Sequence, residues 1–449
     1  MGFWAWNFRA QIKTGEDTRN MSNSKSTECE LVVIGRGMAG MASALFAVNR
    51  GLSTVQVGVT GEIIFASGLL DLMGVHPIQE KKSWRDPWAG IDALMRDVPN
   101  HPYARLKREE IQAALEEVLS FLQEAGLPYC RRRKRNSEMI TPLGTIKRTY
   151  CVPQTMWGGV RALEERHPCL LVDFRGLNDF SVRQIAATLQ EKWPGLRATR
   201  IPFPDPNHAS ELFMGGIMAQ TMELSKNRER LAQAVRPQVE EAQAVGMPAI
   251  LGMCRTQEIV AELEERIGVP VFEIPTLPVS VPGLRLNDAF RRQLSVKGVQ
   301  HFLQNRVLEV RRRRGGEFVL LIGNETTEHR IRAKGVILAS GRFWGGGLYA
   351  DRKRIRETIF DLPVHQPRDR RGWHRTDFLD SGGHPANRAG LEIDELFRPL
   401  DSSGGPAFET LFAAGSILAH QDWMRMKCGS GLAIATAYAA VNAFVKLNG

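Results

Sequence analysis

The chain of 449 residues has no two cysteines in C-x-x-C spacing. Its six thiols, Cys29, Cys130, Cys151, Cys169, Cys254 and Cys428, are scattered, which argues against a zinc ribbon or an iron–sulfur cluster held by this chain; no metal site is expected. No apolar run approaches the roughly 18 residues of a membrane span, so work at a membrane would need a partner or a surface contact. Residues 1–20 (MGFWAWNFRAQIKTGEDTRN) carry aromatic residues but no continuous apolar core, which makes a poor secretory signal. Reduced thiols in a cytoplasmic compartment are the expectation. Residues 1–29 read as a disordered leader, or as a start assigned too far upstream of Met21.

What is present points to a globular protein of two or three domains: 43% hydrophobic and 24% charged residues over a length well beyond one typical core. The net charge of +10 is concentrated in RRRKR at 131–135 and RRRR at 311–314. Both clusters read as solvated loop tips, with anionic lipid or an acidic partner surface as the alternative. No recognised nucleic-acid module accompanies the charge, so nucleic acid is not an expected partner.

The stretch LVVIGRGMAG at 31–40 combines a buried strand (30–34), a glycine loop and a helix with small residues on one face (38–49). A second strand over 52–59 completes a β–α–β unit. Gly35 permits the tight turn, Gly37 lets backbone approach a phosphate at the helix N-terminus, and Gly40 allows close packing of helix and strand. Further on, 109–125 reads as an amphipathic helix and 139–150 as a hairpin turning at Pro142 and Gly144. Residues 155–275 alternate strands (170–174, 198–202, 249–253, 271–274) with helices (181–193, 211–243 broken at Pro237, 258–266), the rhythm of a parallel sheet flanked by helices. After 275 the chain returns to a helix over 286–297, a hairpin of 306–310 and 318–322, a buried strand GVILA at 335–339 running into Ser340-Gly341, a strand over 410–418 running into Gly415, and a glycine-opened helix at 428–444.

Three strand-to-glycine corners, at Gly35, Gly341 and Gly415, thus stand far apart in the chain. This layout resembles flavoproteins of the glutathione-reductase and succinate-dehydrogenase type. It implies an α/β fold: a split Rossmann-like flavin-binding domain (30–150 and 276–449) with an inserted α/β domain (151–275). Cofactor-facing candidates are Gly35, Gly37, Gly40, Ser67, Gly68, Ser340, Gly341, Gly415, Ser416, Gly429 and Gly431. The segments VVIGRGMAG, FASGLLDLMG, HPYARL, ITPLGTIKRT, PTLPVSVPGLRL, VILASGRFWGGGL, LFAAGSIL and CGSGLA, in this order, further resemble the B-subunit, a flavoprotein, of the anaerobic glycerol-3-phosphate dehydrogenases, from about residue 30 to about 445. The resemblance implies oxidation of sn-glycerol 3-phosphate to dihydroxyacetone phosphate. It also implies two partners: a catalytic subunit that carries FAD, and an iron–sulfur subunit that links the complex to the inner membrane and the quinone pool.

One expected residue is missing. Dinucleotide-binding proteins of this type end the second strand in an acid that holds the adenosine ribose; about 23 residues after Gly35 this chain has Gly58. Either Glu62 or another group holds an adenosine, and the cofactor is FAD, or there is no adenosine, and it is FMN. Ser416, where many flavoproteins carry Asp, fits the second choice. For alcohol oxidation, His420 is the candidate base and Arg342 the candidate phosphate clamp, with Lys147 and Arg148 as weaker clamps. The alternatives are a structural histidine and a loop salt bridge. Cys428 opens the last helix, where its thiol pKa could be lowered, though packing explains it as well. No base and clamp stand out together, which leaves three functional classes: a flavin subunit of the larger complex, a self-sufficient FAD-dependent oxidoreductase on another small acid, and a cofactor-free scaffold subunit.

Overall fold

A computed structural model describes residues 11–14, 25–59, 61–204 and 215–448. After β1 (Gln11–Thr14), β2 (Lys25–Ile34), α1 (Met38–Asn49) and β3 (Thr54–Gly58) form the expected unit. β2 and β3 pair in parallel, with Leu31 opposite Thr54 and Ile34 opposite Val57. Leu31, Val32 and Val33 are fully buried, as a strand covered on both faces requires. Much of 1–29 lies outside the described residues, but Gln11–Thr14 and residues 25–29 are strand, so these parts are not a disordered leader.

The chain continues through α2 (Arg108–Glu124), whose Ile111, Leu115, Val118 and Leu122 are buried at helical spacing. The expected hairpin follows, Met139 opposite Lys147. α3 (Gln154–Glu165) then opens a second unit with β4 (Cys169–Phe174), β5 (Leu196–Ile201), β6 (Ala244–Pro248) and β7 (Val271–Ile274). These four strands are all parallel in the order β7-β6-β4-β5, and their core of Phe174, Trp193, Leu263 and Phe272 is their own. β6 replaces the strand expected at 249–253. Pro248 closes it, at a position where the missing N–H is not needed. The helix expected over 211–243 is divided into Gly215–Thr221 and Ser225–Val235, with a 3₁₀ turn at Pro237; residues 211–214 lie outside the described residues.

α4 (Val281–Val296) returns the chain to the first unit. It begins five residues earlier than the sequence suggests, because Ser280 caps it and Pro282 stands in its first turn, where a missing N–H costs nothing. Then come β8 (Gln300–Leu303), β9 (Arg306–Arg312), β10 (Phe318–Gly323), β11 (Thr327–Leu338), β12 (Leu411–Ala413) and α5 (Gly429–Asn448). The sheet runs β1-β9-β10-β11-β2-β3-β8, and β12 lies on β11. β11 serves twice. Its first half pairs antiparallel with β10, and its last residues, Val336–Leu338, pair in parallel with Leu411–Ala413.

α5 is long and apolar enough to cross a membrane by length and composition alone. In this fold it is a core helix. Leu432, Ile434, Val441 and Phe444 are buried, Tyr438 packs edge-on against Phe46 of α1 at 5.2 Å, and a Cβ on Gly335 of β11 would strike the Phe444 ring at 2.3 Å. A buried ion pair ties the inserted unit to α4. Arg285 Nη1 and Nη2 reach the Glu273 carboxylate at 2.6 and 2.8 Å, and that carboxylate also accepts from Thr155 and from the Leu251 N–H. Of the basic clusters, Arg132 and Arg135 pair with Glu164 and Arg131 with Glu116, while Arg311, paired with Glu309, and Arg312 end β9 and Arg313 and Arg314 follow in the turn to β10.

Candidate functional site

The ends of four parallel strands are locked in step. The Gly35 N–H donates to the Val57 carbonyl at 2.8 Å, Ala339 to Ile34 at 2.8 Å, and Ala414 to Leu338 at 3.1 Å. The three glycine corners that follow these strands therefore lie side by side. Gly35 has φ +128, and a Cβ there would stand 2.1 Å from the Ala339 carbonyl oxygen. Gly415, at φ +80, would place a Cβ 2.5 Å from that of Ala39. Only glycine permits this approach.

Within the loop the glycines divide by task. Gly40 is a packing glycine, its virtual Cβ 2.2 Å from the Gly35 carbonyl oxygen. Gly37 is different. It precedes α1 in extended conformation (φ −76, ψ −175), offers no side-chain cap, and a Cβ there would meet nothing within 4 Å. No side chain caps the N–H groups of the first turn, the arrangement that receives an anion. Gly61, not singled out from sequence, holds the chain after β3 against this loop; a Cβ would lie 1.9 Å from the Arg36 carbonyl oxygen. At the second corner the Ser340 hydroxyl is buried with no partner, and Gly341 has φ +71. An open helix N-terminus and an unpartnered buried hydroxyl at the same strand edge fit a phosphorylated, hydroxyl-bearing cofactor such as a flavin nucleotide.

Other candidates are placed differently. Ser67 bonds the Leu69 N–H, and Gly68 (φ +83) packs on Pro282. Gly429 packs on the Trp423 ring and Gly431 on Leu72; the Gly431 N–H donates to the Asp71 carbonyl at 2.7 Å. These glycines at the head of α5 bring protein against protein, and the Gly431 N–H is not available to a ligand. The Gly415 N–H is taken by the Thr436 hydroxyl at 2.9 Å, and the Ser416 carbonyl accepts from Gln421.

Arg342 is a correction. Its Nε donates to the Ser416 carbonyl at 2.8 Å, Nη2 to Gln421 at 2.5 Å, and Nη1 to Asn387. A guanidinium whose three nitrogens all serve backbone carbonyls is a tie between corners, not a phosphate clamp. Lys147 is paired with Asp71 at 2.7 Å, and Arg148 with Glu138 at 3.0 Å. Cys428 is fully buried, and burial together with the nearby Asp71 and Asp422 carboxylates pushes its thiol pKa up, so the packing reading holds and the lowered pKa does not.

His420 sits at φ +63 with Nε2 2.9 Å from Glu392 Oε1, beside a small cleft also lined by Pro102 and Leu391. No described residue bonds its Nδ1. His365 shares the same carboxylate oxygen at 3.3 Å, and burial with His420 lowers its pKa. The three side chains have ligand atoms within 4.8 Å of one another, close enough to share a cation. Within electrostatic reach is His101 of HPYARL, which the sequence does not mark as a site. It is fully buried, its Nδ1 accepts from the Tyr103 N–H at 3.1 Å, its Nε2 has no partner, and burial with His76, His420 and Arg388 pushes its pKa down to about 3.

The missing acid is replaced by a cation. β3 ends on Gly58, and the Arg36 side chain lies over it. The side chain of Glu62, the alternative ribose ligand, lies outside the described residues.

The sequence profile of the FAD binding domain matches residues 30–432. The chain is 31% identical over 427 residues to the probable anaerobic glycerol-3-phosphate dehydrogenase B-subunit of Halobacterium salinarum, covering 92% of this chain and 97% of that one. It is 28% identical over 415 residues to the anaerobic glycerol-3-phosphate dehydrogenase B-subunit of Pectobacterium atrosepticum, covering 91% and 96%. Among solved structures it is similar to a 3-ketosteroid Δ1-dehydrogenase from Sterolibacterium denitrificans, with 12% identity, 94% of this chain and 100% of that one covered, and a TM-score of 0.42. The chain belongs to the FAD-binding flavoprotein family and, within it, to the B-subunit family of the anaerobic glycerol-3-phosphate dehydrogenases; it is a flavin-dependent oxidoreductase.

Proposed function

We propose that the chain is the flavin-carrying B-subunit of a complex that oxidises sn-glycerol 3-phosphate to dihydroxyacetone phosphate. Its partners in this reading are a catalytic subunit that bears FAD, and an iron–sulfur subunit that leads to the quinone pool. The complex works in the cytoplasm, at the inner membrane through those partners. The convergence of the three corners supports this reading most, because it forms a phosphate-ready cradle from segments that only this split layout brings together.

The division of labour follows from what surrounds the cradle. Oxidising the alcohol removes two electrons with the carbon-bound hydrogen and separately a hydroxyl proton, and a bound flavin supplies the two-electron acceptor. His420 is the base for the hydroxyl proton, taken at Nδ1, while Glu392 fixes the ring through Nε2 and steadies its positive charge. None of the three sequence candidates for a phosphate clamp stands with it, since Arg342, Lys147 and Arg148 are committed elsewhere. Completion of the substrate site by a partner explains that gap. FMN is the cofactor in this reading, because Gly58 offers no side-chain carboxylate for ribose hydroxyls.

Dye reduction by glycerol 3-phosphate tests the assignment on this chain alone, on the two partners without it, and on all three together. Turnover is expected only when this chain joins its partners. Full turnover by the isolated chain, or by the partners without it, contradicts the assignment.

A further inference from the structure

Where β3 ends, a Cβ on Gly58 would stand 3.1 Å from Arg36 Cγ. Arg36 is 8% exposed, and its Nε is buried without a hydrogen-bond partner. Among the described residues no carboxylate pairs with it. A guanidinium largely withdrawn from water, with its Nε unpaired, is costly, so a fold that keeps one there points to an anion that arrives later. The surroundings agree. His301 of β8 bonds Gln56 Oε1 through Nδ1 at 3.0 Å, and its Nε2 is buried with no partner. Gln56 in turn donates to the Gly35 carbonyl at 3.0 Å, which ties this histidine to the phosphate loop. Arg291 of α4 is near enough to act on both Arg36 and His301, although it shares Asp288 at 3.3 Å. Asp288 also serves Arg292 at 3.0 Å.

We propose that Arg36, supported by His301 and Arg291, seats a phosphate monoester beside the N-terminus of α1: the terminal phosphate of FMN, where a dinucleotide would place its adenosine ribose. The proposal rests on the flavin reading and gives it a determinant. A ribose edge presents hydroxyls that a carboxylate holds best, as an acceptor from both of them. A guanidinium can meet such hydroxyls only as a neutral acceptor pair, whereas a phosphate offers it charge and several acceptor oxygens, so the guanidinium favours the phosphate. The substrate's phosphate is the other possible source, but position separates the two. Gly415 closes β12 and Gly58 ends β3, three strand spacings apart, about 14 Å. Arg36 thus lies at the opposite end of the cradle from the Gly415–His420 segment.

The test is titration of flavin-stripped protein with riboflavin, FMN, FAD and glycerol 3-phosphate, for wild type, Arg36→Gln and Arg291→Gln. Wild type is expected to bind FMN about 10- to 100-fold tighter than riboflavin, the contribution of a charge-assisted contact. Arg36→Gln should remove most of that preference and leave riboflavin affinity unchanged, which also shows that the variant is folded. Arg291→Gln should remove a smaller part. Equal weakening of riboflavin and FMN by Arg36→Gln overturns the proposal. So does an unchanged FMN preference, tighter binding of FAD than of FMN by wild type, or displacement of FMN by glycerol 3-phosphate in an Arg36-dependent way. If wild type binds none of the three flavins, the flavin reading fails, and this proposal with it. If flavins bind without regard to Arg36, only this proposal fails.

Discussion

Arg342 Nε donates to the Ser416 carbonyl at 2.8 Å, joining two loops 74 residues apart in the chain. Through this contact and its bonds to Asn387 and Gln421, one side chain holds the second glycine corner against the third. The separation of the corners in sequence is overcome by a fastening that no local pattern announces.

Arg342→Lys is therefore expected to behave as a stability mutation. A lysine reaches at most part of this set, so the loss is about 2–4 kcal/mol, with flavin released at lower urea. Urea unfolding with flavin fluorescence reads both. A normal unfolding midpoint with a raised KM for glycerol 3-phosphate in the complex would restore Arg342 as a substrate clamp.

Gly37 and Gly61 separate ligand space from packing. Gly37→Ala adds a methyl to open space at an extended φ, so flavin-free stability should hold or rise by up to about 1 kcal/mol while flavin affinity falls. Gly61→Ala drives a Cβ into the Arg36 carbonyl and should unfold the loop even without ligand. Thermal melts of both variants with and without flavin check the contrast.

His101 gives a pH dependence with a definite sign. Its pKa in the fold is about 3, below the ordinary value of about 6.5. Between these values the unfolded chain binds a proton that the folded chain refuses. The contribution is present above about pH 6.5 and is lost as pH falls, about 3 kcal/mol by pH 4. His101→Asn keeps an acceptor for the Tyr103 N–H and should flatten this part of the stability profile; an unchanged profile contradicts the account.

The Arg285–Glu273 pair holds the inserted unit to α4. Arg285→Leu leaves a buried carboxylate and should cost about 3–5 kcal/mol, whereas the double change to leucines should cost less. Urea titrations of these two variants, of Glu273→Leu and of wild type measure the coupling.

Much of the flavin-binding half is legible in sequence, because glycine corners after buried strands are local events. Gly35 makes the tight corner and Gly40 the close helix–strand contact that their spacing implies, and a Cβ on Gly37 would meet nothing within 4 Å. Legibility fails where the deciding partner is distant. Gly429 and Gly431 look like ligand glycines, but Trp423 and the Asp71 carbonyl fill that role. Arg342 looks like a free cation because its three carbonyls lie dozens of residues away. Arg36 stands within the fingerprint itself, yet its importance depends on Gly58, His301 and Arg291, which only the folded sheet brings near. The sequence pattern puts a strand at 249–253 rather than Ala244–Pro248 because Pro248 suggests a break, although a parallel strand tolerates proline at its end.

The most direct test of the central claim is the flavin content of the purified chain, by absorbance and by mass of the released cofactor. Convergence of the three corners into a cradle predicts close to one flavin per chain, lost on Gly415→Val, which would drive a side chain into Ala39 of α1. A colourless wild-type protein that takes up no flavin when it is supplied would contradict the account.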